Sequence, residues 1–378
     1  MTVSTKTRCI VWAHAAGRCQ FPGCNKLLIG DLIAGNDKLN AAYVAHIVAE
    51  TEGGPRGDHI KSPLLADNPD NLMLMCDPHH RLIDRDELHN YPEDRLIQIK
   101  QESERRIELA TDMGPDRASN IVRYGATIGT NESVIAFSKC KEAIAPTHYC
   151  AAREPIDLSL SGLDLSDSDP DFYSLQAKNL RRQFEAKIKG RLESQEIGHI
   201  SLFALAPMPL LIELGRLLSD ITPTSVYQLH REEPTGWGWV LNDNSIEIKT
   251  KTLGKSKKQI ALKLAISAKI SDERITSVLG PDTSIWSIES VDPHNDIIRS
   301  PEDLSSIRRI LRSQLSAIKS THGENAIINV FPAIPVSVAI ELGRVWMPKA
   351  DLPLCIFDQS YDSGGFVQRL QIRHKQKT

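Results

Sequence analysis

The residues best suited to chemistry are crowded at one end of the chain. Of seven cysteines and twelve histidines in 378 residues, four cysteines (Cys9, Cys19, Cys24, Cys76) and six histidines (His14, His46, His59, His79, His80, His89) fall within the first 90. Cys19-x4-Cys24 and Cys76-x2-His79 are two short-spaced pairs separated by a long insertion. Thiolate and imidazole supplied in that way suit zinc in a closed tetrahedral site. Pro22-Gly23 in the first pair and Pro78 in the second bend the backbone as metal knuckles require. The odd cysteine count and uneven spacing point to metal ligands plus bystanders in a reducing compartment, not to a disulfide framework.

Few elements are available to position these groups. Lys6–Ala16 reads as a helix closed by Gly17, and Ala41–Val48 as a short strand carrying His46. Ala49–Asp70, with three glycines and three prolines, reads as a long surface loop. A second apolar run, Leu72–Met75, follows Asn71 and leads into Cys76-Asp-Pro-His-His80 at a helix start. Pro92 opens an amphipathic helix from about Glu93 to Ala110, and residues 111–117 form the linker. So little secondary structure buries a small core, and a bound metal would supply the missing folding energy.

In Arg18-Cys-Gln-Phe-Pro-Gly-Cys24, Val44-Ala-His-Ile47, Gly54-Pro-Arg-Gly57 and Asn71-Leu-Met-Leu-Met-Cys-Asp-Pro-His-His-Arg-Leu-Ile-Asp84, the first 110 residues resemble the HNH endonuclease family. The resemblance implies a ββα-metal fold with structural Zn²⁺ on Cys19, Cys24, Cys76 and His79. It also implies His46 as general base toward water attacking a phosphodiester, and His80 as ligand of a catalytic divalent ion, Mg²⁺. Asn71 would brace the loop and orient His46, or reach the metal directly. Many family members carry an acidic or histidine ligand just before the base. Here that position is Ala45, so the second ligand is open among Asp58, His59 and Asp84. Arg56 reads equally as a phosphate contact or a turn arginine. His14 and His89 read as structural or surface residues.

The remainder contains an internal repeat. Ile200–Arg216 lies over Ile328–Arg344 at an offset of 128, with 8 of 17 positions identical and Ile-Glu-Leu-Gly-Arg closing both copies. Each copy reads as strand, proline-marked turn, helix and strand, preceded by a longer helix. Such alternation implies βαβ units and a parallel sheet covered on both faces. The fold class is therefore mixed α+β and α/β: an N-terminal module over 1–110, then two Rossmann-like halves over about 118–253 and 254–378.

With Leu202–Leu211, Val226–Arg231 and Trp237-Gly-Trp239 following an HNH-like module, residues 118–378 resemble the SAVED domain, a fused pair of CARF-like folds. The pairing resembles effector nucleases of CBASS antiphage systems. It implies a cyclic di- or trinucleotide activator, homo-oligomerisation on activation and non-specific cleavage of double-stranded DNA. Open α/β sheets bind ligands at strand carboxyl ends, with phosphates against helix N-termini. That places Pro207 and Pro335 at equivalent turns, near the ligand or as punctuation of the fold, Arg231 at a strand end where it can pair with a phosphate, and Trp237 where it can stack on a base or, equally, pack in the core. In the second copy their equivalents are Gln359 and Gly365, so the cleft is chemically asymmetric. The Glu213/Arg216 and Glu341/Arg344 pairs read as packing between halves.

Charge and hydropathy limit the alternatives. Net charge is 45 minus 48, or −3, and residues 1–110 hold 13 Lys/Arg against 16 Asp/Glu, which argues against binding nucleic acid through bulk positive charge. No apolar run approaches the roughly 20 residues that span a bilayer, and the start lacks the layout of a secretory signal, so a cytoplasmic protein with no membrane partner is expected. Two other readings stay open: a restriction-type HNH nuclease whose C-terminal part recognises DNA, and a non-catalytic zinc module coupled to a nucleotide receptor.

Overall fold

The computed structural model describes residues 3–28, 42–129, 131, 133–145, 147–160, 165–240, 246–254, 257–360 and 364–373, and divides the chain into two compact units, Met1–Asp116 and Arg117–Thr378. Among the described residues no helix is long and apolar enough to cross a membrane.

In the first unit, α1 (Thr5–His14) starts at Ser4, whose hydroxyl accepts the Thr7 N–H at 3.2 Å. It ends where Ala16 and Gly17 turn left-handed. Strands β1 (Ala42–His46) and β2 (Leu72–Cys76) pair antiparallel, with Ala42 opposite Cys76 and His46 opposite Leu72. The expected strand start, Ala41, lies outside the described residues. All five residues of β2 are buried, which explains its unbroken apolar run. The stretch expected as a loop carries a one-turn helix, α2 (Lys61–Leu65), and a 3-10 turn over Pro69–Asn71. Next come α3 (Asp77–Arg81), which runs on into a π-turn over Leu82–Asp86, and α4 (Glu93–Thr111). Val11, Ile47, Leu72, Leu74, Ile83 and Leu96 form the centre of this small core.

Among its described residues the second unit holds two sheets. The first contains β3 (Ala118–Gly125), β4 (Tyr149–Cys150), β5 (Ile156–Asp157), β6 (Ile200–Leu205) and β7 (Thr224–Val226), all in parallel pairs in the order β4-β3-β6-β7, with β5 also on β3. The second contains β8 (Ile248–Leu253), β9 (Gln259–Ala265), β10 (Thr283–Ser290), β11 (Ile328–Ala333), β12 (Leu354–Ser360) and β13 (Gly365–Ile372), in the order β13-β12-β11-β9-β10-β8. Its centre is parallel and its two edge strands are antiparallel. A division at 253/254 would put β8 in the first half; pairing with β10 moves it to the second, so the second half begins before Ile248. The helices are α5 (Phe137–Ile144), α6 (Phe172–Phe184), α7 (Gly190–Glu193), α8 (Met208–Leu218), α9 (Asp272–Leu279), α10 (Pro301–His322) and α11 (Val336–Val345).

The repeated Ile-Glu-Leu-Gly-Arg forms the seam between the halves. Helices α8 and α11 occupy the same place in the two copies and pack on each other. A Cβ on Gly215 would stand 1.9 Å from the Ile340 carbonyl oxygen, and one on Gly343 would stand 1.9 Å from that of Ile212. The relation is reciprocal, as a two-fold arrangement of the copies demands. Beside the crossing, buried Glu213 meets Arg181 and Arg216, each at 2.6 Å, and buried Glu341 meets Arg344 at 2.6 Å and Arg308 at 3.4 Å. These carboxylates tolerate burial because each is paired. Residues of both sheets, such as Leu202 and Val330, and of the two seam helices, such as Leu211 and Ile340, share one hydrophobic cluster.

Gly215→Ala or Gly343→Ala should therefore cost about 3 kcal/mol or more in urea unfolding, because a methyl cannot enter a backbone contact. Gly190→Ala, with φ −60° and nothing within 4 Å of its Cβ, should leave the midpoint unchanged or raise it by about 0.5 kcal/mol. Equal effects at all three positions would refute the close crossing.

Candidate functional site

The first unit brings its four expected metal ligands together. Cys24 Sγ lies 3.9 Å from Cys76 Sγ, Cys76 Sγ lies 3.1 Å from His79 Nδ1, and Cys19 Sγ lies 3.7 Å from the same nitrogen. All four donor atoms fall within 4.8 Å of one another. Zinc bonds of about 2.3 Å to sulfur and about 2.0 Å to nitrogen put tetrahedral donors roughly 3.5–3.8 Å apart, so the set fits that ion. The first knuckle turns at Gly23, whose φ of +77° favours glycine, with Cys24 N–H on Phe21 O at 3.1 Å. The second places the Cys76 N–H on Cys19 Sγ at 3.4 Å. Phe21 stacks on the His79 ring at 4.1 Å, and burial lowers the His79 pKa, in the direction that favours the neutral imidazole a metal ligand requires. Burial pushes the Cys19 thiol up to about 12, which a bound cation would reverse.

At the other end of the β1–β2 pair, β1 ends at His46, opposite Leu72, whereas the ligand Cys76 lies opposite Ala42. Its Nε2 lies 3.0 Å from the Ala66 carbonyl oxygen. A carbonyl only accepts, so Nε2 carries the proton and Nδ1 keeps a lone pair. Asn71 is buried and spends its amide on the backbone: Oδ1 accepts the Val48 N–H at 2.9 Å, and Nδ2 donates to Val48 O at 2.9 Å and Leu65 O at 3.2 Å. Of the two roles open to Asn71, the geometry matches the brace. It ties the segment after His46 to the segment that presents Ala66.

His80 lies on α3 with its ring stacked on Tyr43 at 4.6 Å and its Nε2 3.2 Å from Asp84 Oδ2. Burial raises the Asp84 pKa, yet hydrogen bonds from His80 and Arg56 outweigh it and hold the carboxyl below its ordinary range. Arg56 is no phosphate contact here. Its side chain is 8% exposed and its donors go to Ile47 O, Ile83 O and Asp84 Oδ1 at 2.5, 2.8 and 2.6 Å. Asp58 Oδ1 accepts the N–H groups of Ile60 and Lys61 at the start of α2, at 2.8 and 2.7 Å. The Arg56–Asp84 link was not legible in the sequence; the spacing of His80 and Asp84 at i, i+4 on a helix was its one visible sign.

In the second unit, Pro207 and Pro335 stand just ahead of α8 and α11, each in extended backbone. A cavity of about 100 Å³ opens there, lined by Met208, Gln228 and Arg231 from the first copy and by Asp296, Pro335 and Val336 from the second. Both helix N-termini and an arginine therefore border one cleft, an arrangement that attracts an anionic group. Gln228 crosses between halves, its Oε1 accepting from the Ser337 hydroxyl at 2.8 Å and the Ser337 N–H at 3.2 Å. Asp296 Oδ2 accepts the Arg231 N–H at 2.7 Å and the Glu232 N–H at 2.5 Å, fixing the backbone while the Arg231 side chain stays exposed. Neither cross-half contact has a signal in the repeat, because their repeat equivalents are different residue types.

Trp237 requires a correction. Expected to stack on a base, it is 5% exposed and meets Phe203 edge-on at 5.2 Å in a core cluster with Ile121 and Tyr227. Gln359, the repeat equivalent of Arg231, accepts a hydrogen bond from Arg274 and does not line this cleft.

A family model described as the SMODS-associated and fused to various effectors sensor domain, SAVED, matches residues 180–372. Solved structures of an Acinetobacter baumannii Cap4 SAVED/CARF-domain containing receptor with the cyclic trinucleotide 2'3'3'-cAAA and of its Moraxella osloensis counterpart are similar at TM-scores of 0.43 and 0.39 and identities of 12% and 10%. Each covers 74% of this chain, which spans only 56% and 58% of those receptors. No curated protein matches the chain. Because the model spans just over half of the sequence, including both copies of the repeat and the seam between them, the chain belongs to the SAVED sensor family.

Proposed function

We propose that this chain is a cyclic-oligonucleotide-activated DNA endonuclease, an antiphage effector of the CBASS type. The observation that carries the proposal is the joining, in one polypeptide, of a SAVED sensor to a unit that holds a Cys3His cluster with His80 next to His79 on α3, and that sets His46 and braced Asn71 at the other end of the β1–β2 pair. In this reading the activator's phosphates lie at the N-termini of α8 and α11 with Arg231, and occupancy favours a self-associated active form. A mildly acidic nuclease unit binds DNA weakly as a single copy, so productive affinity comes from several units acting together.

The chemistry is phosphodiester hydrolysis. His46, with Nε2–H held on Ala66 O, takes a proton from the attacking water at Nδ1. Asn71 keeps the loop that presents Ala66 in place. A divalent ion such as Mg²⁺, held through His80, would neutralise charge on the scissile phosphate. Zinc on Cys19, Cys24, Cys76 and His79 would be structural, holding β2 and α3 to the turn after α1.

Purified protein should degrade plasmid only when Mg²⁺ and one member of a panel of cyclic di- and trinucleotides are both present. Degradation without any activator would refute gating. His46→Ala should lower the cleavage rate about 10²- to 10⁴-fold with activator affinity intact. Arg231→Ala should weaken activator binding by about 10- to 100-fold, the value of one charge-assisted hydrogen bond, with the melting temperature unchanged. Metal analysis should find one zinc per chain, and Cys76→Ser or a strong chelator should remove it and abolish amide-exchange protection in Leu72–Cys76 while sparing β6 and β11. Full protection of β2 in metal-free protein would overturn the structural role.

A further inference from the structure

We infer that Arg56 and Asp84 are positioning residues that hold His80 as its Nε2–H tautomer, so that Nδ1 is the nitrogen offered to a divalent cation. The inference rests on the nuclease reading above and specifies how its metal ligand is oriented. An ionised carboxylate only accepts hydrogen bonds, so the 3.2 Å approach of Asp84 Oδ2 to His80 Nε2 puts the ring proton on that nitrogen. His80 Nδ1 has no protein partner among the described residues. Tyr43, parallel to the imidazole within 8° at 4.6 Å, opposes rotation of the ring out of this plane.

The carboxylate is itself anchored. Arg56 donates to Asp84 Oδ1 at 2.6 Å while its remaining donors grip the carbonyls of Ile47, just beyond β1, and Ile83, beside Asp84. Arg56 also donates to His46 O at 3.4 Å, and it adopts φ +54°, the left-handed region, in the Gly54-Pro-Arg-Gly57 turn. Gly57 leaves no room for a side chain there: its Cβ would fall 2.4 Å from the carbonyl oxygens of Thr51 and Glu52. A guanidinium on one oxygen partly neutralises the carboxylate, which suits Asp84 to orienting an imidazole better than to meeting a cation. The network also answers the absence at position 45. Ala45 lies on the same strand face as Tyr43, is buried, and offers no donor, so His80 carries more of the burden of holding the ion and its orientation matters more. Metal-binding histidines of known sites donate their second N–H to a carboxylate in this manner, and losing that partner weakens binding about 10- to 100-fold.

The test uses the zinc-loaded full chain with Mn²⁺ as the only added ion. Histidine-selective ¹⁵N NMR before Mn²⁺ addition should show His80 as a single Nε2–H tautomer, and Asp84→Ala should convert it to a mixture. Mn²⁺ affinity, read by EPR, should fall about 10- to 100-fold in Asp84→Ala and less in Arg56→Lys, with zinc content unchanged. Asp84→Asn, which keeps an acceptor oxygen, should retain the tautomer and part of the affinity, and carries the test if the alanine variant fails to fold. An Nδ1–H tautomer in the unmodified protein, or no Mn²⁺ binding by it, would overturn the inference. So would affinity lost with the tautomer unchanged, which would make Asp84 a direct ligand. Mn²⁺ binding with the expected tautomers but no cleavage of any DNA would remove the nuclease reading and leave this assignment standing.

Discussion

The second unit depends on one contact, the crossing of two helices whose backbones touch. At Gly215 and Gly343 the carbonyls of Ile340 and Ile212 occupy the space a side chain would need. Two glycines at equivalent positions let the copies of a repeat approach more closely than any other residue pair permits. Because α8 and α11 each follow a central strand of their own sheet, fixing the crossing fixes both strand ends and both helix N-termini. The cleft at Pro207 and Pro335 is a consequence. Had the helices been held apart by methyl groups, the same residues would line two separate half-sites.

The two halves are alike in scaffold and unlike in surface. Buried Glu213 and Glu341 each take an arginine three residues on and one from the preceding long helix, so polar anchoring repeats along with the apolar seam. At the cleft the likeness stops: Gln228 has no polar equivalent in the second copy, and Arg231 corresponds to an uncharged Gln359. A symmetric frame with asymmetric lining can hold a ligand in one orientation, as a sensor that discriminates among related cyclic molecules requires.

The first unit solves a different problem with few residues. Two short strands and the helices around them bury a small core, and four cysteine and histidine side chains converge where more apolar area would otherwise be needed. The same economy governs its reactive groups. His46 meets a carbonyl and His80 a carboxylate, so among the described residues each ring keeps one nitrogen without a protein partner, whose identity follows from what the other nitrogen touches.

Much of this was legible in the residues themselves. Cysteine and histidine spacing identified the four-ligand cluster, because a metal site leaves a local signature at each end of its loop. The offset of 128 exposed the duplicated fold and its seam, since a repeat must keep the residues that let its copies pack. Composition could not say which face of a strand a side chain occupies. Trp237, aromatic and next to a strand end, reads as a ligand contact, and only packing against Phe203 shows it to be core. Arg56 reads equally as a phosphate contact or a turn arginine until three carbonyl and carboxylate partners, drawn from segments up to 28 residues away, account for its charge. Strand β8 joined the second sheet by pairing with β10, a choice made by edge hydrogen bonds that leave no mark in its own sequence. The sequence by itself determined the ligand types, the repeat and the strand and helix periodicity, all of which are local patterns. Tertiary structure alone decided which polar groups meet, because those pairings join segments whose separation along the chain carries no chemical signal.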